Sequence, residues 1–238
     1  MQLTLRQRAS WSAHLFKAIT QQHHRALTTL FAPYVPADAI VLDIGAHAGQ
    51  FSKLFARMAP RGRVYAFEPS AYARSIMEPA LRLNRIGNVI LTPVGLSDRA
   101  GQMTLHTPLK QSTSLGYGGA HLGDSPVSGA QVDQTVTLTT LDAFIADERL
   151  LRLDLIKADI EGWEMRALMG GVQALARFHP ALYLEVDPVW MARAGDTPEG
   201  LFDWLSALGY QAFATPDLAP VDGFAVAGDY LFVPRERP

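Results

Sequence analysis

Two groups of carboxylates carry the chemistry of this 238-residue chain. The first is Asp43 with Glu68, and between them lies the glycine turn Gly45-Ala46-His47-Ala48-Gly49. The second is the string Lys157-Ala158-Asp159-Ile160-Glu161-Gly162-Trp163-Glu164. Val41, Leu42 and Ile44 form a short apolar run fit for a buried parallel strand, and a helix-compatible stretch follows the turn from Gln50 to Met58. A second strand, 63–67, ends on Glu68 and Pro69. Asp43 and Glu68 are 25 residues apart, the span of one β-α-β unit. A carboxylate ending the second strand of such a unit can accept hydrogen bonds from both hydroxyls of a ribose, so the first group predicts a nucleoside-containing cofactor.

The second group has the residue types of an acid–base site. Asp159 and Glu161 stand at the carboxyl end of a strand over 153–158, the edge where open α/β sheets bind ligands. Either carboxylate is a candidate base, and two lying close together would raise one pKa. Lys157 would pair with one of them or lower the pKa of an acceptor. Glu164 reads as a helix-start residue, favoured there by the helix dipole. Glu185 ends the next strand on the same edge and could bind substrate hydroxyls or join Asp159 and Glu161 around a divalent ion, for which oxygen ligands are suited. His121 is placed to act if its loop closes over the site, and Trp163 to stack on substrate or pack in the core. His23 and His24 read as neighbours on an N-terminal helix, pointing apart and unable to form a metal pair.

The elements that must position these residues alternate. Strands are expected near 40–44, 63–67, 88–94, 153–158 and 181–186, and helices near 50–58, 71–85, 164–177 and 198–208. Such alternation predicts a mostly parallel sheet with helices on both faces. Two C-terminal runs, 210–214 and 229–233, have no helix between them and are expected to pair as an antiparallel hairpin. Residues 1–36 read as a helical cap of one or two helices, and 37–238 as the main domain. That domain carries a substrate-side insertion near 107–133, rich in Gly and Ser, long enough to be a functional loop.

The bulk numbers remove several classes. Hydrophobic residues make up 48% of the chain, enough for a full core, yet no apolar run reaches membrane-spanning length. There is no cysteine, hence no disulfide frame, thiolate nucleophile or thiolate metal site. A net charge of −2 disfavours a broad grip on nucleic acid. With no signal-peptide segment, the expectation is a cytoplasmic protein without a membrane partner, and an apolar N-terminal helix face could pack against a second copy.

The glycine pattern separates cofactors. Gly45 and Gly49 do not make G-x-G-x-x-G, so a dinucleotide pyrophosphate is poorly served and a nicotinamide oxidoreductase is the alternative rather than the leading reading. One wide turn suits a phosphate-free cofactor such as S-adenosylmethionine. Asp43 would then meet its amino group or fix the loop, and Asp98 its adenine.

The segments VLDIGAHAGQFS (41–52), Phe67-Glu68-Pro69, Gly95-Leu96-Ser97-Asp98, Thr140-Leu141-Asp142 and the 157–164 string together resemble the FkbM family of S-adenosylmethionine-dependent methyltransferases, over about residues 38–187. The resemblance implies a Rossmann-like class I methyltransferase fold, with a mostly parallel seven-stranded sheet ending in an antiparallel hairpin. It implies O-methylation of a hydroxyl on a sugar or secondary metabolite by in-line transfer with a carboxylate base. A second alternative is ribose 2′-O-methylation of RNA. The leading reading places the cofactor against Asp43, Gly45, Ala46, His47, Gly49, Phe51, Ser52, Glu68, Pro69, Ser97, Asp98 and Asp159. His47 stands where members often carry Asn.

Overall fold

A computed structural model describes residues 5–108, 121–122 and 131–235. The strands in chain order are β1 (Ile40–Ile44), β2 (Arg63–Phe67), β3 (Val89–Thr92), β4 (Gly95–Leu96), β5 (Gly101–Pro108) and β6 (His121–Leu122), then β7 (Gln131–Thr139), β8 (Leu155–Ala158), β9 (Ala181–Val186), β10 (Tyr210–Ala214), β11 (Ala219–Val221) and β12 (Gly228–Pro234). The helices are α1 (Leu5–Thr20), α2 (Thr28–Phe31), α3 (Gln50–Met58), α4 (Ala71–Leu83), α5 (Leu141–Asp147), α6 (Glu164–Met169), α7 (Val172–Phe178), α8 (Pro188–Ala194) and α9 (Pro198–Ala207).

The main sheet runs β11-β10-β12-β9-β8-β1-β2-β3. Pairing is parallel from β3 through β9 and antiparallel at β12 and β10, so the terminal hairpin forms as expected. The expected seven strands become eight, because the short β11 adds to the outer edge of β10. The central strands are apolar on both faces, as helix-covered parallel strands must be. Leu42, Ile44, Tyr65 and Ile156 face one buried layer, and Val41, Val64, Leu155 and Tyr183 the other. All the parallel strands end on one edge, which therefore collects the turn after β1, Glu68, Asp159 and Glu185.

A second sheet, ordered β4-β7-β5-β6, is built mainly from β5 and β7, which pair antiparallel. Gln134 of β7 ties it to the main body: its amide accepts from Ala71 N (3.1 Å) and donates to the Pro69 carbonyl (2.9 Å). Most of the 107–133 insertion lies outside the described residues, including the side chain of His121, whose backbone pairs with His106.

Two expectations change, and one segment of the family resemblance gains a role. The helix expected over 164–177 is two helices, α6 and α7, broken at Gly170-Gly171. A Cβ on Gly170 would lie 2.1 Å from the Ser97 carbonyl oxygen, so the chain turns where it presses on the β4 end. Thr140-Leu141-Asp142 proves to be capping chemistry. Thr140 caps α5 (Ala143 N, 3.1 Å), and the Asp142 carboxylate accepts from Gln173 N and Ala174 N at the start of α7. His23 and His24 lie on a turn after α1, not on a helix.

The N-terminal cap joins the main body. Trp11, Leu15, Ala18 and Ile19 of α1 pack on Tyr72, Ile76 and Ala80, so α4 covers the apolar face that was expected to meet a second copy. Buried Lys53 donates to the Ala18 carbonyl and to Gln21 O (3.0 Å), holding the end of α1 on α3. Among the described residues no helix is long and apolar enough to cross a membrane.

Candidate active site

The edge where the parallel strands end opens into a cleft of about 510 Å³. Its floor is the turn after β1. Gly45 has φ +75°, and a Cβ there would come 2.0 Å from the Asp159 carbonyl oxygen, so only glycine lets this turn cross the end of β8. Beneath it, Asp43 is fully buried and accepts from the Ser52 hydroxyl at 2.5 Å. Buried Lys157 lies 3.4 Å from Asp43 and 3.7 Å from Asp159, and donates to the carbonyls of Ile44 (3.3 Å) and Gly45 (3.1 Å). Burial works against its ammonium, yet Asp159 and Asp43 outweigh that and raise its pKa. Lys157 is thus a charged strut under the turn. Asp43 and Ser52 fix the turn from below and do not line the cleft.

Glu68 stands at the end of β2 with both oxygens occupied from one side. Oε2 accepts from His47 N and Oε1 from Ser70 N, each at 2.7 Å. Burial raises its pKa, while the two N–H donors oppose that rise. A carboxylate has about four acceptor positions, so free lone pairs remain for a ligand in the cleft. Ala46, Pro69 and Tyr72 provide apolar walls beside it.

At the other end, Asp159, Glu161, Glu185 and Asp229 face the cleft. Glu185 hydrogen-bonds to Asp159, and its pKa is pushed up to about 9 by burial and by that neighbour. Glu185 therefore carries a proton at neutral pH. Asp229 lies directly opposite Glu185 in the β12–β9 register and accepts from the Tyr183 hydroxyl at 2.9 Å. Burial raises the pKa of Asp229 and also that of Tyr183. Among the described residues no three His, Asp or Glu side chains converge as metal ligands, so the divalent-ion arrangement of Asp159, Glu161 and Glu185 is not formed.

Several expected residues sit elsewhere. Ser97 is buried, accepting from Trp163 Nε1 at 3.1 Å and donating to Asp98 at 3.0 Å. Asp98 faces Arg166 at 3.7 Å. Ser97, Asp98 and Trp163 form a support under the 157–164 loop rather than part of the cleft wall. Glu164 opens α6, as expected, but its carboxylate folds back to accept from Ile160 N (2.7 Å) and Gly162 N (3.4 Å), tying the loop.

The cleft also recruits residues to which the sequence assigns no part in the site: His24, Gln50, Tyr72, Leu105, Thr107 and Asp229. Asp229 was legible only as a strand position, and its directly opposite Glu185 was the available signal. His24 stacks on Phe51, with ring centroids 3.9 Å apart and planes 14° from parallel. Burial and Lys157 lower its pKa, so the imidazole is neutral at pH 7.

With this geometry in place, the comparisons with known proteins are direct. Residues 43–212 match the Methyltransferase FkbM domain. The chain is 30% identical over 213 residues to the AMB antimetabolite synthetase AmbE of Pseudomonas aeruginosa, covering 77% of this chain and 10% of that protein. It is 27% identical over 168 residues to the 2-O-methyltransferase NoeI of Sinorhizobium fredii, covering 65% of each. The chain thus spans a tenth of the first relative and just under two thirds of the second. In fold it is similar to an O-methyltransferase from Bacillus cereus solved in complex with SAH (TM-score 0.52, 12% identity, 99% of this chain and 93% of that one). The glycine turn, Glu68 and the 157–164 string all fall within the matched segment, and the chain belongs to the FkbM methyltransferase domain family.

Proposed function

We propose that this chain uses S-adenosylmethionine to methylate a hydroxyl of a small molecule. The observation that carries the reading is the placement of two carboxylates across one cleft, Glu68 at the end of β2 and Asp159 at the end of β8, on either side of the Gly45 turn. The cleft fits the cofactor. Glu68 keeps acceptor capacity for ribose hydroxyls, the walls beside it are apolar, and Gln50 Oε1 is a buried acceptor with no hydrogen-bond partner among the described residues. When bound, the cofactor would supply an electrophilic methyl whose bond to sulfur breaks as the C–O bond forms, with the neutral thioether as the leaving group.

The protein's task is then alignment and proton removal. Glu68 fixes the ribose, and the β1–α3 turn seats the amino-acid end. Asp159 accepts a hydrogen bond from the acceptor hydroxyl and so aims its oxygen at the methyl group, a proximity effect. As the new C–O bond forms, the O–H bond breaks and the proton passes to Asp159, help worth roughly 10²–10⁴-fold in rate. Glu185, holding its own proton, keeps Asp159 oriented. Lys157 keeps Asp159 and the turn in register. A hydroxyl acceptor agrees with the name of the relative NoeI, a 2-O-methyltransferase.

Calorimetry with S-adenosylhomocysteine, followed by transfer of labelled methyl from S-adenosylmethionine to a panel of sugars, polyols and hydroxylated polyketides, tests this reading. The expected result is cofactor binding and a methyl ether product. Absence of any binding of S-adenosylhomocysteine would overturn it.

A further inference from the structure

The family match begins at residue 43, yet one wall of the cleft comes from the chain before it. We propose that His24, together with Gln50, recognises the zwitterionic amino-acid end of the cofactor, which makes the turn after α1 a working part of the binding site. The inference rests on the cofactor reading above and extends it to His24, which lies before the family match.

Three observations carry it. His24 lines the cleft and is held flat on Phe51, so its ring edge is fixed at the beginning of α3. Among the described residues its ring nitrogens have no hydrogen-bond partner, which leaves an imidazole N–H available to a carboxylate. Gln50 is the first residue of α3, also lines the cleft, and keeps Oε1 buried without a donor, a position that an ammonium group satisfies. The two segments are tied to each other, because Gln22 Nε2 donates to the Gln50 carbonyl at 3.0 Å. One donor and one acceptor thus line the same cleft, the pair of groups that an α-amino acid requires. The amides at the start of α3 add to this. Gly49 caps that helix in the left-handed conformation with no side-chain cap, so the first N–H groups stay open to an anion.

The test compares two probes that share the nucleoside and differ at the amino-acid end: S-adenosylhomocysteine and 5′-methylthioadenosine. Titration calorimetry is run on the full chain and on His24→Ala, His24→Asn and Gln50→Leu. We expect His24→Ala to weaken S-adenosylhomocysteine about tenfold or more, the loss of one hydrogen bond to a charged group. Methylthioadenosine should stay within about twofold of the wild type by the same arithmetic. The N–H donor of asparagine should restore part of the loss, and Gln50→Leu should repeat the selective effect. Equal binding of S-adenosylhomocysteine by wild type and His24→Ala overturns the inference alone. Parallel loss of both probes overturns it too, since that marks a general collapse of the cleft. Failure of the wild type to bind either probe removes the cofactor reading, and this inference with it.

Discussion

Replacing Glu164 with glutamine should remove one pH-dependent component of stability and leave the loop geometry in place. Glu164 is 1% exposed, with Oε1 bonded to two loop amides and Oε2 buried without a partner among the described residues. Burial raises its pKa from 4.5 to about 7. A carboxyl group raised on folding is favoured in its protonated form. Its contribution is complete below pH 4.5 and is lost as the pH climbs through about 7. The gap corresponds to about 3 kcal/mol at 1.36 kcal/mol per pH unit. Glutamine keeps a carbonyl oxygen for Ile160 N and Gly162 N and cannot ionise. Its amide nitrogen replaces an unpartnered oxygen, a cost that does not vary with pH. Glu185, raised to about 9, adds a loss of the same sign to both proteins and cancels in the difference except for the part that the Glu164 charge, the least of the causes of its rise, contributes. Guanidinium unfolding of wild type and Glu164→Gln at half-unit steps from pH 4.5 to 8.5 measures that difference. From the acid to the alkaline side, the difference between the two stability curves should shift by about 3 kcal/mol towards the variant. Curves that run parallel across the range would refute the assignment.

Three further outcomes follow from the site. Glu68→Gln keeps one acceptor oxygen for the backbone and should weaken S-adenosylhomocysteine binding by about 1–3 kcal/mol in calorimetry, through the loss of charged acceptors for the ribose. Asp159→Asn should unfold at a temperature close to wild type and bind the cofactor comparably, while single-turnover methyl transfer falls roughly 10²-fold or more; unchanged turnover removes Asp159 as the base. Gly45→Ala puts a methyl against the Asp159 carbonyl at a left-handed φ, and denaturant unfolding should show a loss of roughly 2–4 kcal/mol.

What could be read from the sequence was local. The β1–turn–α3–β2 unit and Glu68 are contiguous in chain and space, so apolar runs, glycine spacing and one carboxylate locate them. The hairpin of β10 and β12 was legible because no helix separates the two runs. The long stretch 164–177 misled because its periodicity is helical throughout, and the break at Gly170 comes from a contact with Ser97, 73 residues earlier in the chain. Asp98 and Trp163 looked like ligand contacts because they follow strands that end on the active edge. Their side chains turn instead to Arg166 and Ser97. The cleft positions of His24 and Asp229 were missed for the opposite reason: nothing in their neighbours' spacing points to the site, and only tertiary packing brings them to the cleft.

Glu68 has a mechanical consequence. One carboxylate grips His47 N in the turn and Ser70 N at the head of α4, and so acts as a rivet between two pieces of backbone. If the rivet opens, both amides are released in the same event. Hydrogen exchange at His47 and Ser70 should therefore proceed at a shared rate and slow together when a nucleoside settles on the carboxylate. Such a pair reports occupancy from within the protein, with no label attached and no acceptor yet identified.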